Sequence, residues 1–130
     1  MQITVLREND PLETRVGLTP DVVKKLIAKG ANVIIQSGCG ERSNYNDNEY
    51  EIAGAKVSRT LSDSISNSDI LISVKRPDEK QLKKINKNAI IIGQMDPFDS
   101  KTELQALANT GHQIFSMELM PRITRAQSMD

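Results

Sequence analysis

At 130 residues the chain has the size of one ordinary domain and is too short for two, and its 17 basic against 17 acidic residues leave no cationic excess for neutralising nucleic-acid phosphates. Its only cysteine, Cys39, excludes an internal disulfide or a multi-thiolate metal cluster and fits a reducing cytosol. Tryptophan is absent and aromatics make up 3%, so the core must come from Ile, Leu, Val, Ala and Met, which suits parallel strands covered by helices.

Short β-branched runs alternate with segments of helical period, the pattern of repeated βα units. The first strand is expected over Ile3 to Leu6. Thr19-Pro20-Asp21 then supplies an N-cap, a proline at the first turn and an early carboxylate for a helix carrying Val22, Val23, Leu26 and Ile27, which Gly30 ends. A second strand over Asn32 to Gln36 leads into a loop, Ser37 to Asn44, and a helix over Asn46 to Ala53 that breaks at Gly54. Further strands follow at Lys56 to Ser58, Ile70 to Val74, Ala89 to Gln94 and Gln113 to Ser116. Helical segments at Leu61 to Ser66, Glu79 to Ile85 and Lys101 to Asn109 separate them, with a loop at Met95 to Ser100. The longest apolar run, around Ala89 to Ile92, is far shorter than the roughly 20 residues of a membrane span. Neither a signal peptide nor an anchor is visible after Met1. The expected fold is a single α/β domain over 1–130, a flavodoxin-like or Rossmann-like parallel sheet with helices on both faces. In such sheets ligands bind beyond the carboxyl ends of the strands.

Three segments at those ends could carry chemistry. Glu13-Thr-Arg-Val-Gly-Leu-Thr-Pro20 resembles the Glu-x-Arg-Val-Ala-Leu-Thr-Pro segment shared by transhydrogenase alpha subunits and alanine dehydrogenases. The resemblance makes Arg15 the holder of a substrate carboxylate, which suits a planar guanidinium that gives two parallel charged hydrogen bonds. Arg15 could instead pair with a nearby carboxylate and order the loop. Ser73-Val-Lys-Arg-Pro77 resembles the Lys-Val-Lys-Glu-Pro segment of alanine dehydrogenases, which puts Lys75 at the position of their catalytic lysine. Lysines at strand ends are otherwise most often solvated. Gln94-Met-Asp-Pro-Phe98 carries Asp96 where those dehydrogenases have a histidine acid-base. A carboxylate with an ordinary pKa near 4 does not replace a shuttle near 6.5, which argues against amino-acid dehydrogenation. His112, the only histidine, precedes the last strand and is given no chemistry.

The third segment, Met117-Glu-Leu-Met-Pro-Arg-Ile-Thr-Arg-Ala-Gln-Ser-Met-Asp130, resembles a signature of the NAD(H)-binding alpha subunit of proton-translocating transhydrogenase. It implies that Arg122 and Asp130 hydrogen-bond the nicotinamide carboxamide, and that the catalytic contribution of Gln127 is to bring NAD(H) against the NADP(H) carried by another component. Carboxamide recognition needs both a donor and an acceptor, and direct hydride transfer needs the rings near contact. Apart from the family, these are ordinary helix-start charges and exposed polar positions.

No Gly-x-Gly-x-x-Gly follows a strand, so the phosphate cradle is missing. Ser37-Gly-Cys-Gly40 resembles instead the cleft-shaping Gly-x-Gly of the family's second βα loop. The resemblance therefore implies an alanine dehydrogenase/transhydrogenase N-terminal domain without its dinucleotide-binding Rossmann domain. A split subunit, a truncation and a gene remnant fit equally. The expected partners are the rest of the alpha subunit and the membrane and NADP-binding components. The expected location is cytoplasmic and peripheral to the inner membrane, in a homo-oligomer, with no metal and no activity for the chain alone. The alternatives are a non-catalytic module or remnant that binds small carboxylates at Arg15 and Lys75 and, less favoured, an amino-acid dehydrogenase.

Overall fold

The computed structural model describes residues 1–59, 66–95, 105 and 111–117. Its six strands are β1 (Gln2–Val5), β2 (Asn32–Gln36), β3 (Lys56–Ser58), β4 (Ile70–Lys75), β5 (Ile90–Gln94) and β6 (Gln113–Ser116). They form one sheet of order β3-β2-β1-β4-β5-β6 in which every neighbouring pair is parallel. The order reverses between β1 and β4, so a crevice opens where the loops leaving those two strands diverge.

Alternation along the strands divides the core in two. Ile3 and Val5 pack with Val33 and Ile35 against α1 (Pro20–Ala28) and α2 (Asp47–Ile52), through Val23 and Tyr50. Leu71 and Ile91 pack with Leu82 and Ile85 around α3 (Glu79–Lys83). Burying each such aliphatic side chain contributes about 1.5–3 kcal/mol. Thr4, between Ile3 and Val5, is buried and pairs its hydroxyl with that of Ser68.

Caps fix the helix starts. Thr19 Oγ1 accepts from the Val22 amide at 3.4 Å, and Asn46 Oδ1 accepts from the Glu49 amide at 2.9 Å. Asp78 and Gln81 form a reciprocal capping box on α3. That helix is shorter than expected, because Lys84 and Ile85 turn to i→i−3 bonds onto Gln81 and Leu82. Ile85 still anchors the second core from outside the helix. The expected loop over Ser37 to Asn44 contains a 3-10 turn, Glu41–Ser43.

Of the helix expected at Leu61 to Ser66, residues 60–65 lie outside the described residues and Ser66 is in a turn. Of that at Lys101 to Asn109, only Gln105 is described, and it is helical. Among the described residues no helix is long and apolar enough to cross a membrane.

Candidate functional site

The crevice is built first by Glu8. Leaving β1, the chain turns this carboxylate across to β4, where Oε1 accepts from the Lys75 amide at 2.8 Å and Oε2 from the Val74 amide at 3.2 Å. These amides lie where β4 slips its register against β5, between Ile72 and Lys75. Such irregularities re-aim side chains near functional sites. Gly93 permits the slip, since a Cβ there would lie 2.6 Å from the Ser73 carbonyl oxygen. Burial pushes the Glu8 carboxyl up despite the two amides, which pull it down.

Lys75 emerges at the head of this strand, half exposed, with Nζ 2.6 Å from Asp10 Oδ2 and 3.9 Å from Glu13 Oε2. Glu13 is 6% exposed and accepts from Arg15 Nε at 2.9 Å and Arg15 Nη2 at 3.1 Å. Arg15 itself is 58% exposed, and its Nη2 also reaches Gln94 Oε1 at 3.5 Å. The two cations expected at strand heads are therefore together, converging on one carboxylate. Arg15 does pair with a neighbouring acid and order its loop. Glu13 takes only the Nε side of the fork, so Nη1 has no partner among the described residues.

Electrostatics follow from these pairs. The hydrogen bond from Arg15 leads in holding the Glu13 carboxyl down at about 2. Asp10 is lowered chiefly by its hydrogen bond from Lys75, and Lys75 is raised chiefly by Asp10.

The loop after β2 braces the Arg15 loop. Arg42 Nη1 donates to the Asp10 carbonyl at 2.8 Å and the Glu13 carbonyl at 3.2 Å, and Ser43 Oγ donates to the Thr14 carbonyl. Gly40 lets this loop close on Tyr50, whose ring carbon a Cβ would meet at 2.8 Å. Tyr50 donates to the Leu18 carbonyl at 2.7 Å. Cys39 lies buried here with its thiol pushed up to about 12 by burial, which removes it as a nucleophile near neutral pH.

Between the heads of β1 and β4 lies a cavity of about 540 Å³, with Arg7, Lys75 and Arg76 facing Glu8, Asp10 and Asp78 on its walls. Gln94 lines it as well, and Arg15 belongs to an adjoining recess of about 20 Å³. The charges balance, so it favours groups that match particular side chains over a general anion. His112 exchanges a 3.0 Å hydrogen bond with the Asn86 carbonyl and is buried, which gives it a structural role. Among the described residues no group of three His, Cys, Asp or Glu is placed to hold a metal. Asp96, Arg122, Gln127 and Asp130 lie outside the described residues.

Sequence reasoning missed Glu8, Asp10 and Arg42. Two acids directly beyond the first strand, at the end where ligands bind, were an available signal for the first two. Nothing local marked Arg42.

The model of the family described as alanine dehydrogenase/PNT, N-terminal domain, matches residues 4–130. Similar proteins include the first portion of the NAD(P) transhydrogenase alpha subunit of Rhodospirillum rubrum, at 35% identity over 100% of this chain and 35% of the relative. Alanine dehydrogenase 1 of Staphylococcus aureus (strain bovine RF122 / ET3-1) is 32% identical over 85% of this chain and 29% of its own. A solved transhydrogenase from Sinorhizobium meliloti superposes with a TM-score of 0.93 at 40% identity, covering 100% of this chain and 39% of that one. A solved L-alanine dehydrogenase shares the fold, with a TM-score of 0.86 at 23% identity over 97% of this chain and 34% of that one. The chain thus spans about a third of the length of the curated relatives it matches.

Proposed function

The chain belongs to the alanine dehydrogenase/PNT N-terminal domain family, and from that premise we propose that it is the N-terminal portion of an NAD(P) transhydrogenase alpha subunit. In that role it contributes to hydride transfer from NADH to NADP+ coupled to proton translocation. The likeness to the transhydrogenase structure, 40% identical over the whole chain, carries this reading. Asp96 supports it, since an unperturbed carboxylate is a poor acid-base for an amino-acid dehydrogenase.

The described residues do not fit the pyrophosphate of NAD(H). β1 runs into Leu6-Arg7-Glu8-Asn9-Asp10, with no glycine for close approach and with carboxylates Glu8 and Asp10 on the cavity wall. NAD(H) is accordingly held by the dinucleotide-binding domain of the remaining alpha subunit. Arg122 and Asp130 supply the donor and acceptor for its carboxamide, and Gln127 sits toward the NADP(H)-bearing component. The assembly is a homo-oligomer on the cytoplasmic side, peripheral to the membrane. The chain alone is inactive. Hydride transfer from NADH to an NADP analogue tests this: none with the pure chain, and transfer once the dinucleotide-binding and NADP-binding components are added. Transfer by the pure chain overturns it.

A second reading, a non-catalytic site for small carboxylates, is favoured by the convergence of Arg15 and Lys75 on the Glu13 carboxylate, with the Nη1 side of Arg15 open among the described residues. Its test is stabilisation of the chain in a thermal-shift titration with small 2-oxo acids. Alanine with NAD+ produces no absorbance change under either reading.

A further inference from the structure

Lys75 stands at the cavity between the heads of β1 and β4 with its ammonium already engaged. Asp10 Oδ2 accepts from Nζ at 2.6 Å, and both residues line that cavity. An ion pair between two mobile surface side chains contributes little, because the entropy of ordering them offsets most of the attraction. Here both backbones are pinned. The Lys75 amide donates to Glu8 Oε1 at 2.8 Å, and the Asp10 carbonyl accepts from Arg42 Nη1 at 2.8 Å and from the Glu13 amide at 3.1 Å. The Asp10 side chain is fixed as well: Oδ1 accepts from the Leu12 amide at 2.9 Å, an Asx-type turn that leaves Oδ2 to face Nζ. Three bonds that do not involve Lys75 therefore set this carboxylate in place.

An anion that reaches Nζ must displace Asp10 or share the ammonium with it, and like charges crowded around one site disfavour each other. Glu13, the other acid near this nitrogen at 3.9 Å, is buried and committed to Arg15. Asp10 is 35% exposed on the cavity wall, so it is the acid that an entering anion meets.

We propose that Asp10 is an autoinhibitory contact, a carboxylate of the chain itself that occupies Lys75 and lowers the affinity of the cavity for anions. This rests on the carboxylate-binding reading given above and adds to it the group that opposes ligand entry. Asp10 is then a regulator of the site and no part of what holds the ligand.

The variant D10N separates these roles. Its Oδ1 still accepts from Leu12, while the amide nitrogen in place of Oδ2 presents a donor to the Nζ donor and breaks the tie. The full chain and D10N are compared in two ways: isothermal titration with pyruvate, and labelling of Lys75 by acetic anhydride followed by peptide mass spectrometry. The expected result is pyruvate bound about threefold or more tighter by D10N, with Lys75 labelled about threefold or more faster and the other lysines at the parent's rate. Binding detected in D10N alone is the same result in its limiting form. Labelling of Lys75 at the parent's rate, or faster labelling with unchanged pyruvate affinity, overturns the inference while the carboxylate reading stands. Absence of pyruvate binding by both proteins removes that reading and the inference with it.

Discussion

Replacing Gly93 by alanine tests how the site is constructed. The added Cβ would lie 2.6 Å from the Ser73 carbonyl oxygen, 3.0 Å from Ser73 Oγ and 3.2 Å from Met95 Cε. Ordinary carbon–oxygen approaches are about 3.3–3.6 Å, so the head of β4 must move by roughly 0.7 Å or more. Forcing an additional methyl into a filled space costs about 1–3 kcal/mol. Alanine offsets about 0.4–1 kcal/mol of that by restricting the unfolded chain. The two combine to a span of about 0–2.6 kcal/mol, and the 2.6 Å overlap with backbone places the expectation in its middle, a loss of about 1–2 kcal/mol. With a urea slope of about 1–3 kcal/mol per molar, the unfolding midpoint falls by about 0.3–2 M at an unchanged slope. The same shift moves Lys75 Nζ from its 2.6 Å contact with Asp10. A midpoint equal to or above the parent's would refute the reasoning, because it would mean that β4 does not press on β5 at this position.

Three other perturbations follow from the same geometry. Tyr50→Phe leaves the Leu18 carbonyl without its 2.7 Å donor in a fully buried setting, and a loss of about 1–2 kcal/mol is expected in denaturant titration. Asp78→Ala removes the 2.7 Å acceptor of the Gln81 amide and the contact with Asn9; a loss of about 1 kcal/mol is expected, read as a lower midpoint. The Glu13 carboxyl is held at about 2 in the fold, below its ordinary 4.5. Its contribution is therefore fully present above pH 4.5 and is lost as pH falls toward 2. Glu8 is raised and acts in the opposite sense. Thermal midpoints at pH 6 and pH 3 should therefore fall less in Glu13→Gln than in the parent; an equal fall would remove the Arg15–Glu13 pair as a source of stability.

The central strands were legible because parallel strands buried on both faces are continuous apolar runs bounded by turn residues, whereas β3, Lys-Val-Ser with no buried residue, is not such a run. Caps and Gly30 made α1 legible for local reasons, since Thr19 and Pro20 act on the turn beside them. The end of α3 was less visible: Lys84 and Ile85 continue a helical pattern in sequence, and only the anchoring of Ile85 in the second core turns the chain. Arg15 and Lys75 come together because both follow strands whose carboxyl ends meet at the reversal of strand order. Arg15 pairs with Glu13 only two residues away, but the long-range bonds around the site were hidden. The bond from Lys75 to Glu8 joins residues 67 apart, and that from Arg42 to Glu13 joins residues 29 apart, separations that no local pattern encodes. The irregularity in β4 is also silent in Ile-Leu-Ile-Ser-Val-Lys, although the glycine within β5 was a sign of close backbone approach.

The central claim is that this chain complements a dinucleotide-binding domain in a transhydrogenase. Its most direct test is a titration of NADH, followed by nucleotide fluorescence, into the purified chain, into a separately produced dinucleotide-binding domain of the family, and into their mixture. The account predicts no binding by the chain alone, and binding in the mixture that is tighter than that of the dinucleotide-binding domain by itself. Saturable binding of NADH by the 130-residue chain, or a mixture indistinguishable from the dinucleotide-binding domain alone, would contradict it.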